Sequence, residues 1–230
     1  MNLESPQFSD VEIIRAKRAT VVAFILNGFA LGSIIARIPD IKSELRLSNP
    51  QVGLSLLFVA IGVFLALKPS GLLCAKFGSR TIILLGTFLI SISTAALALA
   101  DSVSTLRISL FLLGYCTATH DIAMNAHAVS LERYSKSRMM GFLHANFSIG
   151  TFLGAFAGGG LSEFEISVFK QEISLSMVAL ILLILLWNRY LTSAADIHVN
   201  DRMDNRTQKN PAIFWILGFF GLCAAMGEGA

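Results

Sequence analysis

Gly114-Tyr-Cys-Thr-Ala-Thr-His-Asp-Ile-Ala-Met-Asn-Ala-His127 is the stretch that decides how this chain is read. It lies inside an apolar run from Leu106 to Leu131, long enough to cross the hydrocarbon core of a bilayer as one helix. The middle of the run carries His120, Asp121, Asn125 and His127. A carboxyl at the bilayer centre costs about 2.5–3.5 kcal/mol to insert, so ionisable residues there face a bundle interior or a watery path. Asp121 and Asn125 are four residues apart and share one helix face. Gly114, Ala118 and Ala128 fall close to that face and would leave room beside it. His120, Met124, His127 and Leu131 form an adjacent stripe. The Asp121 face reads as the wall of a solute path.

On both sides of this run the pattern repeats. Apolar spans are expected at Ala19–Ala36, Val52–Leu73, Thr81–Ala100, Leu106–Leu131, Met140–Leu161, Ile173–Leu191 and from Ala212 onward. Strands of a membrane barrel would be shorter and would alternate in hydropathy, so the fold class is all-α: a six-helix membrane bundle plus part of a seventh helix. The division that follows is a polar segment 1–18, a bundle 19–191, a polar loop 192–211 and a partial span 212–230. The last span ends in Gly-Glu228-Gly-Ala, which would leave a carboxylate deep in hydrocarbon. The expectation is a fragment of a longer protein or the product of a truncated gene.

Composition agrees. The chain is 54% apolar and 14% charged, where a soluble domain carries about a quarter charged residues. The net charge of +3 gives no reason to expect nucleic acid. Cys74, Cys116 and Cys223 have neither pairing nor metal spacing and read as buried small residues. The polar amino end lacks the layout of a cleavable signal. Lysines and arginines divide thirteen to five between alternate connections, which places the amino terminus and the 192–211 loop of a multi-pass membrane protein in the cytoplasm. Gly150, Gly154 and Gly158 repeat every fourth residue, a face on which two membrane helices can meet backbone to backbone.

Two motifs carry a family resemblance. Gly71-Leu-Leu-Cys-Ala-Lys76-Phe-Gly78-Ser-Arg80 resembles the cytoplasmic signature of major facilitator superfamily transporters, Gly-x-x-x-Asp-Arg/Lys-x-Gly-Arg-Arg/Lys. Gly71, Lys76, Gly78 and Arg80 match, whereas Ala75 stands in place of the Asp and Ser79 in place of the first Arg. Asp121-Ile-Ala-Met-Asn125 resembles the Asp/Glu-x-x-x-Asn element of the fucose-permease-like branch and of a group of bacterial inner-membrane permeases. Gly141-Phe-Leu-His144-Ala-Asn146-Phe-Ser148-Ile-Gly150 and Glu228-Gly-Ala look like the same group. The resemblance implies a gating turn at 71–80 and a protonation site at Asp121. It also implies polar residues that bind a sugar-like solute.

The function expected is therefore secondary active transport of a small polar solute, coupled to protons through Asp121. Asn125, Asn27, His120, His144, Asn146 and Glu228 are the candidate solute contacts. The partners are the solute, protons, the lipid bilayer and a second six-span half or a second copy of the chain. No cofactor, metal or enzymatic activity is expected. The alternatives are a half-transporter acting as a homodimer, a non-transporting remnant, and a membrane-embedded metal enzyme using His120, His127, His144 and Asp121.

Overall fold

The computed structural model describes residues 8–196. They form seven α-helices: α1 Asp10–Ala36, α2 Ile38–Glu44, α3 Asn49–Phe77, α4 Ser79–Ala98, α5 Val103–Ser135, α6 Met140–Glu163 and α7 Val168–Leu186. A short 3-10 turn, Ser193–Asp196, closes the described chain. Among the described residues there is no strand. The span from Ala212, with Glu228 and Cys223, and most of the 192–211 loop lie outside the described residues.

The helices overrun the apolar spans because polar caps start them. Ser9 and Glu12 form a reciprocal capping box, with Ser9 N–H donating to Glu12 at 2.9 Å, so α1 begins nine residues before Ala19. Ser102 accepts from Thr105 N–H and starts α5. Ser167 accepts from Lys170 N–H, so the sixth long helix begins at Val168 rather than Ile173 and ends at Leu186 rather than Leu191. Glu172, which bounds the sixth apolar span in the sequence, is therefore inside a helix. The connection 37–50 also holds a helix, α2, opened by Pro39 near its first turn.

α1, α3, α4 and α7 are long and apolar enough to cross a membrane. α5 and α6 have the length, 33 and 24 residues; polar residues dilute the first and glycines the second. The outward-facing side chains are apolar: Phe152, Phe156 and Ile184 are 68%, 74% and 75% exposed, which suits acyl chains rather than water. α6, α1, α5 and α3 adjoin in that order, α4 lies over α5, and α7 lies over α4. Chain direction alternates, so α1 and α6 run parallel, as do α3 and α5. The start of α1 and the ends of α3, α5 and α7 share the more basic end of the bundle.

Both parallel pairs are sealed by glycine. A Cβ on Gly28 would collide with the carbonyl of Phe147, and one on Gly32 with that of Thr151. From the other side, Gly150, Gly154 and Gly158 meet the carbonyls of Ile25, Phe29 and Ser33. The α3–α5 pair repeats the arrangement with Gly62 against Phe111 and Gly114 against Val59. The space expected beside Gly114 is thus filled by α3, because a residue without a side chain is where a neighbouring backbone comes closest.

Candidate functional site

Asp121 lies near the middle of α5 and is half-buried. Its Oδ1 accepts from Asn125 Nδ2 at 3.1 Å, and the same amide donates to Asp121 O at 2.9 Å. The pair is closed within one helical turn and ties no two helices together. His144, exposed on the second turn of α6, comes within electrostatic reach of Asp121. Its ring stands edge-on to Phe24 of α1, with centroids 5.6 Å apart. Asn146, half-buried on the same helix, donates to Phe142 O at 2.8 Å. Asp121, Asn125 and His144 thus present a carboxylate, a carboxamide and an imidazole where α5, α1 and α6 adjoin.

The other polar candidates of the apolar spans are inside the bundle. Asn27 is 1% exposed and donates from Nδ2 to Thr117 O at 3.3 Å, joining α1 to α5. His120 is fully buried and its Nε2 pairs with Thr87 Oγ1 at 3.2 Å, joining α5 to α4. Gly86 makes room for that ring: a Cβ there would stand 2.8 Å from His120 Cα. The rings of His120, His127 and His144 are each engaged with different neighbours. A hollow at the less basic end, lined by Ile41, Val52, Leu106 and Leu110, holds only about 10 Å³, at the lower limit for one water.

At the basic end the 71–80 turn is tight. α3 stops at Phe77, Gly78 takes φ 83°, and α4 starts at Ser79. A Cβ on Gly78 would meet Ser193, and the left-handed φ disfavours any other residue there. Gly71 and Lys76 are exposed, and the Lys76 ammonium lies 5.1 Å from the Phe77 ring centre. Arg80 donates to Trp187 O and to Asn188 Oδ1, at 3.0 and 2.9 Å.

A carboxylate does reach this turn, from a residue the sequence did not single out. Asp196 accepts from Ser79 N–H at 2.7 Å, from Ser79 Oγ–H at 2.9 Å and from Ser130 Oγ–H at 2.8 Å. It thereby satisfies the first N–H of α4, which has no partner within the helix. Leu191 N–H donates to His127 Nε2 at 3.3 Å, which leaves Nδ1 as the protonated nitrogen facing Ser79 Oγ at 2.9 Å. Tyr190 stacks edge-on against His127, centroids 5.4 Å apart, and donates to Ala19 O. The segment after α7 is thus strapped across α1, α4 and α5. Ala75 removes the signature's own carboxylate, and Asp196 supplies one a few residues away at Ser79.

A second unforeseen cluster lies at the opposite end. Arg37, 2% exposed, donates from Nη1 to Gly158 O at 3.4 Å, from Nη2 to Ile166 O, and pairs through Nε with Asp40 at 2.9 Å. It binds the end of α1 to α6 and to the α6–α7 turn. Glu172 and Gln171 are buried nearby. The signal that could have flagged Glu172 is Ser167 five residues earlier, a helix cap that draws the acid into the helix.

Long apolar helices packed on glycine seams, with buried polar groups joining neighbouring helices and the Asp121–Asn125 pair half-buried on α5, make a polytopic membrane bundle. The chain belongs to the Major Facilitator Superfamily, whose profile matches residues 20–227. It is 34% identical over 144 residues to an uncharacterized MFS-type transporter of Yersinia pestis, covering 63% of this chain and 37% of that protein. An uncharacterized transporter of Sinorhizobium fredii is 30% identical over 152 residues, 66% of this chain and 40% of its own length. Multidrug resistance protein 2 of Bacillus subtilis is 28% identical over 146 residues, 63% of this chain and 36% of its own. The chain spans about two-fifths of the length of these relatives.

Proposed function

We propose that this bundle is one half of a proton-coupled secondary transporter for a small polar, hydroxyl-bearing solute, with Asp121 as the coupling acid. One observation carries the reading. Asp121 is the acid among the described intramembrane candidates, and it keeps both partial exposure and a partner confined to its own helix. A structural acid would be spent bridging helices, as Asn27 and His120 are. Asn125 and His144 offer donors and acceptors to a solute hydroxyl beside that carboxyl.

In this reading the solute and a proton load together. Neutralising Asp121 removes the cost of carrying a charge through an occluded, dry state. Release follows when the carboxyl is exposed to the less acidic compartment. Such folds rock one six-helix bundle against its repeat around a site at the midplane. Here the second bundle comes from a longer chain or a second copy. The excess of lysine and arginine at the end where α1 starts supports a cytoplasmic position for that end.

The test is uptake into liposomes carrying the complete transporter, driven by an imposed pH gradient. Asp121→Asn is expected to abolish uphill uptake while sparing exchange down a solute gradient. Uphill uptake that survives the substitution refutes the assignment. Competition by neutral polyols against lipophilic cations separates a sugar-like solute from a drug-like one, the latter being what the name of the Bacillus relative describes.

A further inference from the structure

Glu172 is fully enclosed near the start of α7. Gln171 Nε2 donates to Glu172 Oε1 at 3.1 Å and to Ser33 O at 3.4 Å. That leaves Glu172 Oε2 and Gln171 Oε1 buried without a donor. Both atoms are acceptors, so what the cluster lacks is a hydrogen to donate. Arg37 is the cation within electrostatic reach, but its guanidinium is committed to Gly158 O, Ile166 O and Asp40. The elements packed around Glu172 bring little other charge. α1 contributes Arg37 with Asp40 just beyond it, α4 contributes Ser91 and Thr94 and has Arg80 as its sole ionisable residue, and α6 ends in Glu163. Lys170, on α7 itself, is exposed. An ionised carboxylate stripped of water and left with one neutral donor is costly enough that it takes up a proton instead. A proton on Oε2 cancels the charge and turns an orphaned acceptor into a donor.

We propose that Glu172 is a second proton-binding site, separate from the Asp121 face, which holds its proton in the packing seen here and delivers its charge to Arg37 when the proton leaves. The proton departs from Oε2–H to water entering past Asp40, whose side chain is 34% exposed. The carboxylate then competes with the carbonyls of Gly158 and Ile166 for the guanidinium. Those two carbonyls are where Arg37 fastens α1 to α6 and to the α6–α7 turn. Proton loss at Glu172 therefore loosens the less basic end of the α1–α6 seam, next to the contact of Gly158 with Ser33.

Infrared spectra of the protein in lipid, recorded across pH, test this directly. The difference between wild type and Glu172→Gln is expected to contain the C=O band of a protonated carboxylic acid at neutral pH, lost on alkalinisation. The band is expected to persist in Asp121→Asn, so its fate does not depend on how Asp121 acts. In Arg37→Gln, where no cation waits for the carboxylate, the band should survive alkalinisation that removes it from the wild type. Identical spectra for wild type and Glu172→Gln overturn the site. A band unaffected by Arg37→Gln overturns the exchange of partners. Glutamine mimics the neutral acid, so a Glu172→Gln protein that fails to assemble also refutes a neutral Glu172.

Discussion

Replacing Asp196 by alanine tests whether the strap after α7 holds the basic end together. The carboxylate accepts three hydrogens, from Ser79 N–H, Ser79 Oγ and Ser130 Oγ, and is 7% exposed. Loss of a helix N-cap costs about 1 kcal/mol. A buried hydrogen bond to a charged acceptor contributes about 1.5–3 kcal/mol. Ser130 Oγ–H keeps Ala126 O as an acceptor and recovers part of its loss; Ser79 Oγ still accepts from His127 Nδ1–H, but its own hydrogen loses its acceptor. The backbone N–H of Ser79 loses its acceptor too. The expected cost of Asp196→Ala is about 3 kcal/mol, roughly a hundredfold in the folding equilibrium at about 1.4 kcal/mol per decade. Reversible unfolding in mixed micelles of increasing SDS fraction measures it. Asp196→Asn keeps one acceptor oxygen and should lose about half as much. Combining Asp196→Ala with Ser130→Ala should give less than the sum of the two, by about 1 kcal/mol, because they share one bond. A loss below about 0.5 kcal/mol, the level of an ordinary surface substitution, would mean that the strap rests on the bundle without holding it.

Two further outcomes follow from the helix contacts. Gly154→Ala drives a Cβ into the carbonyl of Phe29 and within 2.9 Å of Ser33 N, and should cost about 1–3 kcal/mol in the same titration; Gly160→Ala meets nothing within 4 Å and should be neutral. Glu132, just past the α5 span, accepts from Met139 N–H at 2.6 Å and Met140 N–H at 2.9 Å, which hold its carboxyl below the usual carboxylate range. A group whose folded pKa is depressed stabilises the fold above its unfolded pKa and ceases to do so as pH falls through the folded value. Wild type should therefore be more stable than Glu132→Gln from neutral pH down through the ordinary carboxylate range. The gap should close only in stronger acid, as read from unfolding midpoints against pH.

The spans were legible because hydropathy is a local property and a bilayer demands a fixed length of it. Their ends were not, since a run of apolar residues stops at the first charge while a helix stops where its caps are. Ser9, Ser102 and Ser167 moved three of those ends. The Asp121–Asn125 pair was visible as an i, i+4 relation within one helix. The partners of Asn27 and His120 are on other helices, and the sequence does not contain the rotation of one helix against the next. For the same reason Asp196 and Glu172 passed unnoticed. Asp196 finds Ser79 across 117 positions of chain, and Glu172 stands at a charge-rich boundary that hydropathy assigns to a loop. The glycine repeat of α6 was read as a contact face, and that is where α1 lies.

The paired seams have a mechanical corollary. Backbone packed on backbone has no rotamers to exchange, so α1 with α6, and α3 with α5, behave as two stiff ribs. Give is left at the joint between the ribs, where α1 meets α5 and Asn27 reaches across to Thr117 O. Asp121 is one helical turn along from that bond. On the proposed reading, a charge gained or lost at Asp121 would act beside that joint rather than inside either glycine seam.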